Sequence, residues 1–412
     1  MAILHPSRSL TALVPRYVSR FSCIGPSCED SCCAGWRVSI DKKTFTAYRQ
    51  SAHPELKPVF ESSLKRTRSQ ESAATYARIE LHEETSACPL MQDSLCSVQK
   101  HLNETYLSDT CFSYPRTTRQ FAGSIEQSLT LSCPEAARQA LLNPDAFDFV
   151  ENKILVRDTT AKKTKPVHGL SVETMNDIRI FCFQLMRTEG LALWEKLAVF
   201  GVFCESLTKA IEAGQQQAVP ALIEEIVQAV ESGSITLALQ DLPPNYANQA
   251  VVFAAMWSVR SSHSHSASQR AVLDMIAKGM GADEASGQSS QQQIVDSYRR
   301  GIERLPQALQ EAPYLLEHYL LNEMFRSLFP FGDTTPYQDY LRMVSRFGMV
   351  RFMLAAQCNA GAALPTAAAL AQTVQVFCRR FQHDQQFAQQ TSEALHNSGW
   401  DRLEKIYSFL RY

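Results

Sequence analysis

Eight of the chain's twelve cysteines, Cys23, Cys28, Cys32, Cys33, Cys88, Cys96, Cys111 and Cys133, fall within its first 133 residues. Their spacing is more telling than their number. Cys28-x3-Cys32-Cys33 places thiolates where a single turn can aim them at one centre, as soft metal ions and iron–sulfur clusters require. Cys88, Cys96, Cys111 and Cys133 form a second group, and the two groups are expected to meet in space around a shared site. Eight thiols exceed the four ligands of one cluster or one zinc ion. Either two sites exist, or some of the eight belong to packing, as free cysteines often do. An iron–sulfur centre is the favoured reading, with structural zinc as the alternative metal.

The other four cysteines read differently. Cys182, Cys204, Cys358 and Cys378 sit on apolar helical stripes, where cysteine behaves as a small hydrophobe. The bulk properties frame both readings. Net charge is −2 over 412 residues, with 45% hydrophobic and 20% charged residues, so a basic field for nucleic acid is missing. No apolar run approaches the roughly 20 residues that cross a bilayer, and residues 1–20 have no signal-peptide core. A cytoplasmic chain is expected, with no membrane and no nucleic-acid partner. In a reducing compartment clustered thiols point to metal or redox chemistry in preference to disulfides.

The elements that position these residues follow from periodicity. Residues 36–40 and 77–81 alternate apolar and polar as strands do. Residues 88–98 read as a small hairpin around Gln92-Asp93-Ser94. Ser132-Cys133-Pro134 opens a helix, because proline suits the first turn. From about residue 170 the pattern is helical. Leu193, Leu197, Phe200, Cys204, Leu207 and Ile211 form one stripe, and Met343, Phe347, Val350, Leu354 and Cys358 form another. Pro243-Pro244 breaks a helix pair, and residues 279–293 are the best linker candidate. The predicted fold is mainly α. A small α+β cysteine-cluster domain, 1–145, carries the iron–sulfur or zinc site and is followed by a large helical body, split into a helical domain at 146–280 and a C-terminal helical domain at 281–412.

Cys28-x3-Cys32-Cys33, with Cys88-Pro89, Cys96 and Cys111-x3-Pro115, resembles the family of zinc- or iron-chelating cysteine-cluster proteins. Phe21-Ser22-Cys23, Cys33-Ala34-Gly35-Trp36 and the segment Leu131-Ser132-Cys133-Pro134-Glu135-Ala136-Ala137-Arg138 are similar to one branch of it, the flagellin lysine N-methylases of flagellated bacteria. The resemblance implies methyl transfer from S-adenosylmethionine to surface lysines of flagellin, with a [4Fe-4S] cluster near the methyl donor. Cytoplasmic action before flagellin export is implied as well.

Two absences shape the expected mechanism. The radical pattern Cys-x3-Cys-x2-Cys fails, because the position after Cys28-x3-Cys32 that should be cysteine is Gly35. No glycine-rich strand–turn–helix loop is found either; the nearest match, Gly279-Met280-Gly281, follows a helical stretch. A polar displacement is therefore expected, and it needs a neutral, in-line amine. The first side chains to test lie around Cys111: Tyr106 and Tyr114 on the catalytic side, with Tyr114 orienting the amine. Asp109 and Arg116 are expected to bind the donor, with the planar fork of Arg116 on its carboxylate. Trp36 is placed to stack on the adenine or the sulfonium, or else to pack in the core. A non-catalytic metal-held interaction module and a redox iron–sulfur protein are the competing functions.

Overall fold

The structure, a computed structural model, describes residues 4–68, 72–258, 266–282, 289–332 and 334–412. They fall into two compact units. The first comprises the described residues of Met1–Ala136, Asp148–Thr164 and His263–Arg270, and the second those of Ala137–Phe147, Lys165–Ser262 and Ala271–Tyr412.

The strands of the first unit are β1 (Arg8–Pro15), β2 (Ser39–Ile40), β3 (Leu64–Arg66), β4 (Ala77–Ile79), β5 (Met91–Gln92), β6 (Leu95–Cys96), β7 (Arg116–Phe121), β8 (Ser124–Leu129), β9 (Phe149–Val156) and β10 (Ala161–Lys163). Short helices lie among them: α1 (Arg16–Arg20), α2 (Lys42–Arg49), α3 (Leu56–Ser63), α4 (Ser97–Leu102) and α5 (Asp109–Ser113), with α6 (Pro134–Leu141) starting directly after Cys133. A five-stranded sheet has the order β10-β7-β8-β1-β9. β1 and β9 pair antiparallel along their full length, Arg8 opposite Val156 and Pro15 opposite Phe149. β7 and β8 form a hairpin whose two turn residues, Ala122 and Gly123, both have positive φ, the geometry that matches strand twist.

A second, three-stranded sheet has the order β2-β4-β3. With α2, α3 and α4 it encloses a small core in which Tyr48 stacks on Phe60 at 4.2 Å between ring centroids. The strand predicted at 36–40 is confined here to Ser39–Ile40. Its first half serves another purpose. Gly35 takes a positive φ of 76° and the indole N–H of Trp36 donates back to the Cys32 carbonyl at 2.6 Å, so the chain bends around the cysteine loop before extending.

The second unit is helical, as the stripes predict. Its helices are α7 (Val172–Arg187), α8 (Leu193–Glu212), α9 (Val219–Glu231), α10 (Ser234–Leu239), α11 (Tyr246–Ser258), α12 (Ala267–Gly279), α13 (Gln291–Ala308), α14 (Leu315–Ser327), α15 (Pro336–Asn359), α16 (Ala367–Phe377), α17 (Gln385–Asn397) and α18 (Leu403–Leu410), with a π-helical turn at Cys378–Gln382. Leu197, Phe200, Cys204 and Leu207 of the first stripe are fully buried, and all five residues of the second stripe are buried on α15. The Pro243-Pro244 pair separates α10 from α11. In the predicted linker, α12 ends at Gly279 and α13 begins at Gln291 with a Ser290–Gln293 capping box; residues 283–288 lie outside the described residues. Gly279 and Gly301 have no room for a side chain, since a Cβ would strike the backbone carbonyls of Ala356 and Ala355 on α15. Those glycines let α12 and α13 approach α15 closely.

His318 on α14 is buried, with Nδ1 2.9 Å from the Ala140 carbonyl. Burial holds its pKa below 6.5, partly offset by that hydrogen bond. The folded state therefore favours the neutral ring, and unfolding takes up a proton when the pH falls below about 6.5. Stability from this group is present above that pH and is lost as the pH drops toward the lower folded pKa. The urea midpoint is expected to fall between pH 7.5 and 5.5, and His318→Gln is expected to reduce that fall. An unchanged pH slope in His318→Gln would contradict this.

Candidate metal centre

Three local devices bring the cysteines together. The first is a β-bridge between Ala34 and Ala87, flanked by Cys88 N–H donating to the Cys33 carbonyl at 2.7 Å and Gly35 N–H donating to Ser86 at 2.9 Å. This bridge clamps the Cys28–Cys33 loop against the segment that starts at Cys88. The second is the predicted hairpin. β5 and β6 pair Met91 with Cys96 across Asp93 and Ser94, both at positive φ, which returns Cys96 toward Cys88. The third is α5, whose N-cap Ser108 accepts from Cys111 N–H and fixes that thiol on the first turn. Cys33, Cys96 and Cys111 consequently pack against the same small core that buries Cys88.

The sulfurs affect one another electrostatically. Cys32 lies near enough to raise the pKa of Cys28, Cys33, Cys88, Cys96, Cys111 and Cys133. For Cys33 the largest cause is a hydrogen bond with the Cys32 side chain, followed by burial. For the others burial leads, pushing Cys88 up to about 11 and Cys111 and Cys133 up to about 12. Seven thiols thus form one connected array. Cys133 is affected by Cys28 and Cys32, and Cys33, Cys88, Cys96 and Cys111 are each affected by Cys32. Cys23 is exposed.

Opposing the effect of burial, donors point at the sulfurs. Cys96 accepts from the backbone N–H groups of Val98 and Gln99 at the start of α4, and Cys133 from those of Glu135 and Ala136 at the start of α6. Cys88 accepts from Leu90, and Cys111 from the Ser108 hydroxyl. Such donors favour the thiolate and tune a bound metal. The chemistry of the set fits a soft, thiophilic centre: several thiols on neighbouring segments, fixed donors and an apolar backing. Metal entry has to displace thiol protons, so loading is coupled to pH.

Around the array the predicted side chains divide into two groups. Trp36 and Tyr114 meet at 5.6 Å between ring centroids beside the Cys32 carbonyl, and the Tyr114 hydroxyl lies 3.2 Å from Ser132 Oγ, next to Cys133. Arg116 opens β7 nearby, exposed, with its guanidinium 5.5 Å from the Phe21 ring. Asp109 and Tyr106 belong to a separate hub. Asp109 binds the buried Arg157 at 3.2 Å, and Arg157 also donates to the carbonyls of Leu107 and Glu104 and lies 3.9 Å from the Phe112 ring. The Tyr106 carbonyl accepts from Tyr48.

The hub extends to His5 and Asp41, whose ligand atoms lie with that of Asp109 within 4.8 Å of one another. Asp41 caps α2 through Thr44, and His5 Nε2 is 2.8 Å from Thr44 Oγ1. Arg157 pairs with Asp109, one of the two carboxylates of this group. Arg157 gives no signal in the sequence beyond a lone arginine after a strand. Asp30 is another residue that spacing could not reveal. It is buried in the cysteine loop and accepts two bonds of 3.0 Å from Gln269.

Cys182, Cys204, Cys358 and Cys378 are fully buried in the helical unit, as their stripes predict.

A sequence model of the FliB lysine N-methylase C-terminal domain matches residues 179–409. The chain is 28% identical over 245 residues to a lysine-N-methylase of Salmonella typhimurium, covering 58% of each chain. It is 32% identical over 157 residues to the flagellar biosynthetic protein FliU of Salmonella muenchen, covering 38% of this chain and 92% of the relative. The match thus spans a little over half the length of the lysine-N-methylase relative. No solved structure matches. With the matching domain model covering more than half of its length, the chain belongs to the FliB lysine N-methylase family.

Proposed function

We propose that the chain is a protein-lysine N-methyltransferase that takes its methyl group from S-adenosylmethionine, carries a [4Fe-4S] cluster on its N-terminal thiols and modifies surface lysines of flagellin in the cytoplasm. The match of residues 179–409 to a lysine N-methylase domain carries this reading. The flagellar name of the FliU relative supports the choice of substrate. The thiol array supports the cluster. A tetrahedral zinc site with Zn–S bonds near 2.3 Å holds its four sulfurs about 3.8 Å apart. Among the described residues the group gathered tightly enough for a single ion is His5, Asp41 and Asp109, and no trio of thiols is so gathered.

A bound cluster would supply a fixed anchor and wall for the donor site. The remaining work falls to the chain's own side chains. Trp36, held by its bond to the Cys32 carbonyl, presents an aromatic surface on which a sulfonium is attracted. Arg116 offers a planar fork to a carboxylate. Tyr114, tethered to Ser132, is placed to orient an incoming amine. The amine must first lose its proton; its lone pair then attacks the methyl carbon while the carbon–sulfur bond breaks onto sulfur. In-line positioning and exclusion of water account for much of the rate.

Equilibrium dialysis of S-adenosylmethionine against metal-loaded protein tests the donor placement. Trp36→Ala and Arg116→Ala are expected to weaken donor binding about ten-fold each, through the lost cation–π contact and the lost planar fork, with metal content measured alongside. Tyr114→Phe is expected to bind the donor normally and transfer methyl groups more slowly. Native donor affinity in both the Trp36 and Arg116 variants would overturn the placement.

A further inference from the structure

We propose that Gln269 is a positioning residue for the metal centre: by clamping the Asp30 carboxylate it holds the loop that presents Cys28 and Cys32 in the conformation that takes up metal. The inference rests on the proposed function for the presence of a metal on these thiols, and on its own geometry for the hold.

The loop has little interior of its own. From Phe21 to Arg37, Asp30 is the one buried residue, and both Cys23 and Cys32 are exposed. With so little surface taken out of water, the shape of the loop depends on polar contacts. Beyond Cys32 two of these are in place: the Trp36 indole donates to the Cys32 carbonyl, and Cys88 N–H donates to the Cys33 carbonyl. Ahead of Cys32 the buried side chain is that of Asp30. Its two carboxylate oxygens each lie 3.0 Å from Gln269 Nε2, and its backbone carbonyl accepts from the Cys28 thiol at 3.5 Å. The residue that Gln269 grips is thus in contact with one candidate ligand and stands midway in the chain between Cys28 and Cys32.

Gln269 is itself well fixed. It is buried in the first turn of α12, where its own N–H donates to Ser266 Oγ at 3.1 Å. That cap sets the backbone from which the side chain reaches. A buried carboxylate is costly without donors, and the amide supplies one to both oxygens. Removing the donor leaves the carboxylate to seek water, and the loop must move with it. Gln269 comes 239 residues after Asp30, within the span 179–409 that matches the lysine N-methylase C-terminal domain. The metal-binding loop therefore depends on a residue far outside the cysteine-bearing segment.

The test uses the full chain. Gln269→Leu is expected to weaken retention of iron or zinc against EDTA about ten-fold, the scale on which partners of metal ligands act, with a native melting curve. In the metal-free form of that variant, amide hydrogen exchange across residues 28–33 is expected to quicken. Gln269→Glu, which sets one carboxylate against another, is expected to show both effects. Adding Asp30→Asn to Gln269→Glu re-forms an amide–carboxylate pair with the roles reversed, and is expected to restore retention and slow exchange. Native retention in Gln269→Leu, or a reversed pair no better than Gln269→Glu alone, would overturn the proposal. The metal reading is judged apart from this. Native protein that takes up neither iron nor zinc removes that reading, whereas unchanged exchange at residues 28–33 in metal-free Gln269→Leu removes the hold.

Discussion

If the proposed cluster is bound on the N-terminal thiols, replacing Cys32 or Cys111 with serine is expected to remove the metal, whereas Cys23→Ser is expected to keep it. Cys32 is coupled to six other thiols and forms the junction between the Cys28–Cys133 pair and the Cys33, Cys88, Cys96 and Cys111 set. Cys111 is held on α5 by Ser108 and packs against the small core, so its sulfur has little freedom to move away. Losing either should lower metal affinity by on the order of ten-fold or more, the scale on which even supporting residues act. Cys23 is exposed, with no protein backing among the described residues to hold a ligand in place. Iron, zinc and sulfide analysis after oxygen-free purification reads all three variants. Equal metal loss in Cys23→Ser, or full loading in Cys32→Ser, would contradict the arrangement.

The second large effect is structural. Arg351, in the middle of α15, is completely buried, and its hydrogen-bond partners are oxygens of neutral groups. Its guanidinium donates to the Leu410 carbonyl at 2.8 Å, to the Phe409 carbonyl, to Gln249 Oε1 at 2.9 Å and to the Tyr298 hydroxyl at 3.3 Å, and it lies 4.4 Å from the Tyr412 ring. The two carbonyls belong to the last turn of α18, where the helix dipole favours a cation. Gln249 in turn donates to Ser408 and Arg411, so one charge ties α11, α13, α15 and α18 together. Arg351→Met keeps the volume but leaves several buried acceptors unsatisfied, at about 1–3 kcal/mol each. A loss of about 3 kcal/mol or more is expected, seen as a large drop in the urea midpoint of the helical unit. A midpoint within experimental error of the native one would contradict this.

The helical body was legible because its stripes are long and regular. Five buried residues on α15 and four on α8 repeat at helical spacing with no polar interruption. The β5–β6 hairpin was legible because Gln92-Asp93-Ser94 sits between two short apolar pairs, Leu90-Met91 and Leu95-Cys96. The five-stranded sheet was not legible. β8 buries Glu126, Gln127 and Ser128, so it lacks the apolar alternation that marks a strand, and Gln127 is satisfied by Thr118 on β7 at 2.8 Å. β1 meets a partner, β9, that lies far along the chain, which local pattern cannot reveal.

Within the site, cysteine spacing led to the array, because thiols are rare and chemically specific. The Arg157 hub and the Asp30–Gln269 tie were missed, because each assembles single common residues from distant segments.

The central claim is tested most directly by following the intact mass of purified flagellin incubated with the oxygen-free, metal-loaded protein and S-adenosylmethionine. The account predicts successive methyl-sized increments, mapped by fragmentation to lysines, which disappear when the Cys32→Ser protein is used. A flagellin mass that stays constant with fully loaded native protein would contradict it.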